Sequence, residues 1–139
     1  MDIKMDVTEL NEFVQRVFPQ VCDHVHVERV TEAGVVVRWR VDDGHVRPGG
    51  TISGPTMFSA ADVAAYLATL SRIGPEALAV TTNCAIDFMR KPTAGVDLIA
   101  DCRLLKLGRV LTVTDVLIYS EGHDAPVARA SLTYSIPPK

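Results

Sequence analysis

Cysteine is scarce in this sequence and poorly placed for cross-linking. Cys22, Cys84 and Cys102 are odd in number and nowhere spaced as Cys-x-x-Cys, which argues against a disulfide framework or a zinc ribbon and fits a reducing compartment. Long hydrophobic runs are missing too. The N-terminal MDIKMDVTEL has no apolar signal core, and no stretch reaches the ~20 apolar residues that span a bilayer. There is no long basic run and the net charge is −3, so nothing in the charge balance asks for nucleic acid. Absent as well are GxSxG, HExxH, a Gly-rich phosphate loop and the dinucleotide fingerprint. These absences describe a cytoplasmic chain with neither a membrane nor a nucleic-acid partner.

What is present is apolar residues in two distinct periods. The chain has 139 residues, 47% of them hydrophobic. That length suits one domain, residues 1–139, with a single modest core. The apolar content is at the upper end for such a domain, so part of it is expected in a subunit interface. Leu10, Phe13, Val14, Val17 and Phe18 recur at helical spacing and predict an N-terminal helix within residues 1–20, ended by Pro19. The remainder, 21–136, alternates. Val25, Val27 and Val30, a turn at 31–34, then Val35, Val37, Trp39 and Val41 predict a hairpin. The DDGHVRPGG stretch is a loop. Residues 56–71 form a helix apolar nearly all round, with Pro55 in its first turn and Gly74-Pro75 as its stop. Alternating runs at 78–89, 96–107, 110–119 and 127–136 predict four more strands. Runs of strands with one segregated long helix indicate an α+β fold with a mostly antiparallel sheet.

Asp62 is the anomaly. It sits among Ala60, Ala61, Val63 and Ala64 in the most apolar helix, where a carboxylate is costly unless hydrogen-bonded or solvated. Helical spacing puts Ser59, Tyr66 and Thr69 on its face, a polar stripe. Asp62 is therefore either a structural residue bonded to those hydroxyls or the carboxylate of a site. Ser53-Gly54 precedes the helix, whose free N-terminal N–H groups can hold an anion or a developing oxyanion. Gly54 permits close approach to the backbone, while plain capping by Ser53 explains the same residues. Arg90 and Lys91, together with Lys106 and Arg109, are strand-end cations that either meet phosphates or simply face water. Of the histidines, His24 and His26 alternate on one strand and are too few for a metal site. His45 and His123 lie in a loop and a turn and are read as surface residues. No metal is expected.

From Ser53 to Asp62, SGPTMFSAAD resembles the hotdog-fold acyl-CoA thioesterases of the phenylacetate-pathway (PaaI-like) type, in which an acidic residue follows a helix-start Gly by eight positions, as Asp62 follows Gly54. The likeness continues through Val80 to Asn83, Ile86 to Pro92, Gly95, Lys106 to Arg109 and Ala130 to Tyr134. The resemblance implies five to six antiparallel strands curved around one long central helix. It implies dimers through sheet pairing, often tetramers, with active sites at the dimer interface. Catalysis is expected from the Gly54 amide, which polarises the thioester carbonyl, and from Asp62 of the facing subunit, acting as general base or nucleophile. Thr81 is expected beside the attacking water. CoA enters as part of the substrate, with no separate cofactor; Arg47, Arg90, Lys91, Lys106 and Arg109 are expected to hold it. Ser53, Thr56, Ser59 and Tyr66 are expected along the substrate. The sequence departs from the family where Ser53 replaces a His, Pro55 a second Gly, and Arg47 a catalytic Asn. The alternative is a hotdog protein that binds acyl-CoA or a similar small ligand without turnover.

Overall fold

The computed structural model describes residues 2–138. Helix α1 (Val7–Val17) starts at a reciprocal capping box, in which the Glu9 N–H donates to Asp6 Oδ1 and the Asp6 N–H to Glu9 Oε1. It buries Leu10, Phe13 and Val14. Strands β1 (Val25–Val30) and β2 (Gly34–Trp39) follow as a hairpin with Val27 opposite Val37. Gly34 is required there by a close approach: any Cβ would overlap the Cys102 carbonyl of the neighbouring strand. The loop expected at 42–50 contains a single 3-10 turn, Asp43–His45.

Helix α2 (Gly54–Ile73) extends the predicted span by two residues at each end, with Ser53 as N-cap and Gly74 as C-cap. Strands β3 (Val80–Phe88), β4 (Leu98–Leu107), β5 (Leu111–Ser120) and β6 (Ala128–Ser135) complete one six-stranded antiparallel sheet in the order β1-β2-β4-β5-β6-β3. The sheet curves around α2, which packs against β2, β4, β5 and β6. This is the hotdog arrangement. Fourteen of the twenty α2 residues are buried, which is why no apolar stripe was visible in its sequence. Its five buried alanines, from Ala60 to Ala68, bring the helix close to the sheet, which supplies Leu98, Ala100, Cys102, Val116, Ile118, Ala130 and Leu132. No helix among the described residues is long and apolar enough to cross a membrane.

Two features of this core bear on reactivity. Arg72, in the last turn of α2, is buried and donates to the Thr31 carbonyl and to Ser71 Oγ, so a cation at the helix C-terminus also ties down the β1–β2 turn. Cys102 points into the core on β4, and burial pushes its thiol up to about 12. Since the thiolate is the reacting species, Ellman's reagent at neutral pH is expected to leave Cys102 untouched until the protein is denatured, when all three thiols react.

β3 differs from the other strands. It lies at the sheet edge, most of its residues are exposed, and exposed apolar residues stand at its two ends, Leu78 and Val80 at one and Phe88 and Met89 at the other. An exposed edge of this kind offers unpaired backbone N–H and C=O groups to another strand.

Candidate active site

The start of α2 leaves one backbone donor over. Ser53 is extended (φ −72°, ψ 154°) and its Oγ accepts the Thr56 N–H at 3.3 Å. The Met57 N–H donates to the Ser53 carbonyl at 3.2 Å, and Pro55 has no N–H. The Gly54 amide is thus without an acceptor among the described residues, at the positive end of a twenty-residue helix. It opens on a cleft of about 530 Å³ that also presents Arg47, Arg90 and Lys91. Phe88 stands over Gly54, its ring 3.4 Å from where a Cβ would lie.

Asp62 lies two turns further along α2, in a second cavity of about 370 Å³. Its Oδ1 accepts from Thr81 Oγ1, and from the Tyr134 hydroxyl at 2.8 Å. The phenol also faces the Asp62 carbonyl at 2.8 Å. Burial, and after it the charge of Asp62, pushes the Tyr134 phenol well above its ordinary range, so this group stays a proton donor. Asp62 Oδ2 has no partner among the described residues. One carboxylate oxygen is held by two hydroxyls and the other is free, which fixes the orientation of the group and leaves a reactive atom. Tyr66, Phe18 and Val17 form part of the wall. The Tyr66 hydroxyl donates to the Ala77 carbonyl at 3.0 Å, and burial raises its pKa.

The polar stripe drawn from helical spacing is only half present. Ser59 Oγ donates to the Pro55 carbonyl at 3.0 Å and Thr69 Oγ1 to the Ala65 carbonyl at 2.9 Å, each satisfied one turn back on its own helix. Thr69 is fully buried. Asp62 and Tyr66 alone of the four line the cavity. Ser53 and Thr56 bond to each other at 2.8 Å, and Thr56 also faces the His45 carbonyl at 3.4 Å; both serve the start of the helix.

Among the cations, Arg47, Arg90 and Lys91 share the Gly54 cleft, whereas Lys106 and Arg109 lie elsewhere in the same chain. The register explains it. Phe88 pairs with Ala128, Ala128 with Ile118, and Ile118 with Ala100, whereas Leu107 pairs with Thr112. Arg90 therefore leaves the sheet at the Leu98 end of β4, and Lys106 is some six residues away, roughly 20 Å along the strand.

Sequence reasoning missed Tyr134, which occupies an alternating apolar position and reads as core. Cys84 is held as a thiol by burial and by the nearby charge of Asp62, which does not suit a nucleophile. His45, read as a surface residue, keeps only 14% of its side chain exposed and packs on Trp39 and His24. Desolvation lowers its pKa, with Asp42 opposing and His24 adding to the shift.

Comparison with known proteins agrees with this fold. The family model described as thioesterase superfamily matches residues 49–127. A candidate thioesterase from Silicibacter sp. TM1040 is 49% identical over 99% of this chain and 96% of its own, with a TM-score of 0.92. A variant of the phenylacetic acid degradation protein PaaI from Thermus thermophilus is 27% identical over 91% of this chain and 99% of its own, with a TM-score of 0.70. A Streptococcus mutans UA159 protein solved with acetyl CoA bound is 24% identical over 83% and 90%, at a TM-score of 0.71, a likeness of fold. No curated protein matches the sequence.

Proposed function

The chain belongs to the thioesterase superfamily, a family of thioester hydrolases, and on that footing we propose that it hydrolyses an acyl-CoA to the free acid and CoA, at a site built by two copies of the chain. The observation that carries this reading is the pair of unpartnered groups on α2, the Gly54 N–H and Asp62 Oδ2.

Gly54 polarises the thioester carbonyl, and its amide stabilises the oxyanion that forms as the carbon becomes tetrahedral. Asp62 Oδ2 is the reacting atom of the carboxylate, either taking a proton from water or attacking the carbonyl carbon. Thr81 and Tyr134 are positioning residues for it. Arg47, Arg90 and Lys91 meet the phosphates of the CoA moiety beside Gly54, and the acetyl CoA bound by the Streptococcus mutans relative supports that choice of thiol.

Eight residues of helix separate Gly54 from Asp62, a rise of about 12 Å, while both must come within about 3 Å of one carbonyl. One chain alone cannot do this. The exposed β3 edge supplies the remedy. Antiparallel pairing of two β3 strands about their midpoints sets the Thr81 end of one copy beside the Phe88 end of the other. Thr81 accompanies Asp62 and Phe88 accompanies Gly54, so the pairing brings one copy's carboxylate to its partner's amide. It also sets the exposed Val80 of one copy beside the exposed Phe88 of the other.

The test is free-thiol release from short, medium, long-chain and aromatic acyl-CoAs, with Asp62→Ala as control. Turnover lost in the variant supports the reading and identifies the acyl class. Acyl-CoA binding without any turnover would make the chain a binding protein. Tyr134→Phe removes only the hydroxyl that holds Asp62. A hydrogen bond to a charged group is worth about 1.5–3 kcal/mol, so kcat is expected to fall roughly ten- to a hundredfold with KM little changed.

A further inference from the structure

We propose that His24, Asp42 and His45 form a binding site for a divalent transition-metal cation, outside the thioesterase site, that fastens the loop before α2 to the end of the β1–β2 hairpin. The three residues come from two segments: His24 from the entry to β1, and Asp42 and His45 from the 3-10 turn, of which Asp42 is the N-cap. Their donor atoms all lie within 4.8 Å of one another.

Hydrogen bonding determines which atoms face inward. His24 Nδ1 lies 3.2 Å from the Arg40 carbonyl. A carbonyl only accepts, so Nδ1 carries the proton and Nε2 the lone pair, and Nε2 lies 4.0 Å from Asp42 Oδ2. This backbone carbonyl behind one ring nitrogen is the support that metal-bound histidines characteristically have. His45 Nδ1 accepts the Asp42 N–H at 2.9 Å. A backbone amide only donates, so this nitrogen also presents its lone pair, 3.3 Å from Asp42 Oδ1. Two imidazole lone pairs and a carboxylate therefore converge, with the Asp42 amide as the donor among them. On cation binding, His45 Nδ1 exchanges that N–H for the metal, and water completes the coordination. Two imidazole nitrogens and one carboxylate oxygen suit zinc, cobalt, nickel or copper and not calcium or magnesium.

The site is mechanically linked to the helix start. The Ser53 N–H donates to the His45 carbonyl at 2.8 Å, and Ser53 is the N-cap of α2. A cation on the His45 ring holds the turn from which the Arg47 loop and the Gly54 amide are hung.

Trp39 is the chain's single tryptophan. The His24 ring is stacked on it, 11° from parallel at a centroid distance of 5.6 Å, so its fluorescence reports the site directly. The experiment titrates tag-free full-length protein with Zn²⁺ and with Ni²⁺, following Trp39 emission, with Ca²⁺ and Mg²⁺ as controls. The expected result is a saturable response to one transition-metal ion per chain, silence with Ca²⁺ and Mg²⁺, and a higher thermal midpoint with Zn²⁺. His24→Ala is expected to weaken binding at least tenfold, since even partners behind the ligands cost about 10–100-fold in affinity. Asp42→Asn keeps an oxygen to cap Gly44, whose N–H donates to Asp42 Oδ1 at 2.9 Å, yet loses the charge, so it is expected to weaken binding without unfolding the turn. His26→Ala binds as wild type. No saturable Zn²⁺ response in the wild type, or undiminished binding in both His24→Ala and Asp42→Asn, overturns the proposal.

Discussion

Asp62→Asn is expected to lower kcat for acyl-CoA hydrolysis by about 10²–10⁴-fold, the contribution of a positioned general base, with KM nearly unchanged. The substitution is close to isosteric. The asparagine oxygen can still accept from Thr81 and Tyr134, as Asp62 Oδ1 does. The change falls on the other atom: the free Oδ2 becomes an NH₂ group, which neither takes a proton from water nor attacks a carbonyl. Losing a transition-state interaction lowers kcat and kcat/KM together. Steady-state thiol release measures both constants, and a thermal melt close to wild type excludes unfolding as the cause. A rate within about twofold of wild type would remove Asp62 from the reaction, because a base effect of even the smallest expected size is far larger.

The second large effect is expected at Gly54, by deleting a single hydrogen-bond donor. Gly54→Pro removes the N–H at the first helical position, where proline is well tolerated. The residue before a proline is driven to extended backbone, and Ser53 is already there at φ −72° and ψ 154°. Space is also adequate, since the nearest neighbour to a Cβ is the Phe88 ring at 3.4 Å. Position 54 itself precedes Pro55, so a thermal melt close to wild type is the check that the helix start is retained; with it retained, only the oxyanion donor is lost, a change worth about 10²–10³ in kcat. Gly54→Ala, which keeps the N–H, separates the donor from the steric change. Combining the two substitutions in different chains tests the shared site itself. Subunits carrying Asp62→Asn, assorted with subunits carrying Gly54→Pro, place an intact Gly54 opposite an intact Asp62 once in every mixed dimer. Half of randomly assorted dimers are mixed, so roughly a quarter of the wild-type rate is expected to return. If both groups acted within one chain, mixing would restore nothing.

How far the sequence reached differs from element to element. The order of helices and strands was readable because the two periods are distinct: Leu10, Phe13 and Val14 repeat as a helix face, Val25 and Val27 as a strand face. Asp62 was readable because a carboxylate among alanines conflicts with its surroundings, and such conflicts mark sites. Gly54 was visible only as the start of that helix, which capping by Ser53 explains as well, and the resemblance alone gave it a role. Tyr134 gave no comparable signal, because an aromatic residue on a strand's inward face looks the same whether it fills the core or orients a carboxylate 72 positions away. The Ser59 and Thr69 hydroxyls show the converse. Spacing put them on the Asp62 face, yet each bonds to its own helix, a choice that periodicity does not encode. His24 and His45 were separately unremarkable, and Asp42 carried no signal at all.

By itself, then, the sequence determined the fold class, from the two apolar periods, and marked Asp62 as a charge in an apolar helix; the roles proposed for Asp62 and Gly54 came from the resemblance to the thioesterase family. Tertiary structure decided everything that depends on neighbours distant in the chain. It carried β3 past β6 to the sheet edge and set Thr81 and Tyr134 on Asp62. It separated Lys106 and Arg109 from the Gly54 cleft and gathered His24, Asp42 and His45. The reason is physical: the alternation of a strand tells which face a residue occupies, whereas pairing and register, set by the packing of the whole sheet, tell what it meets there.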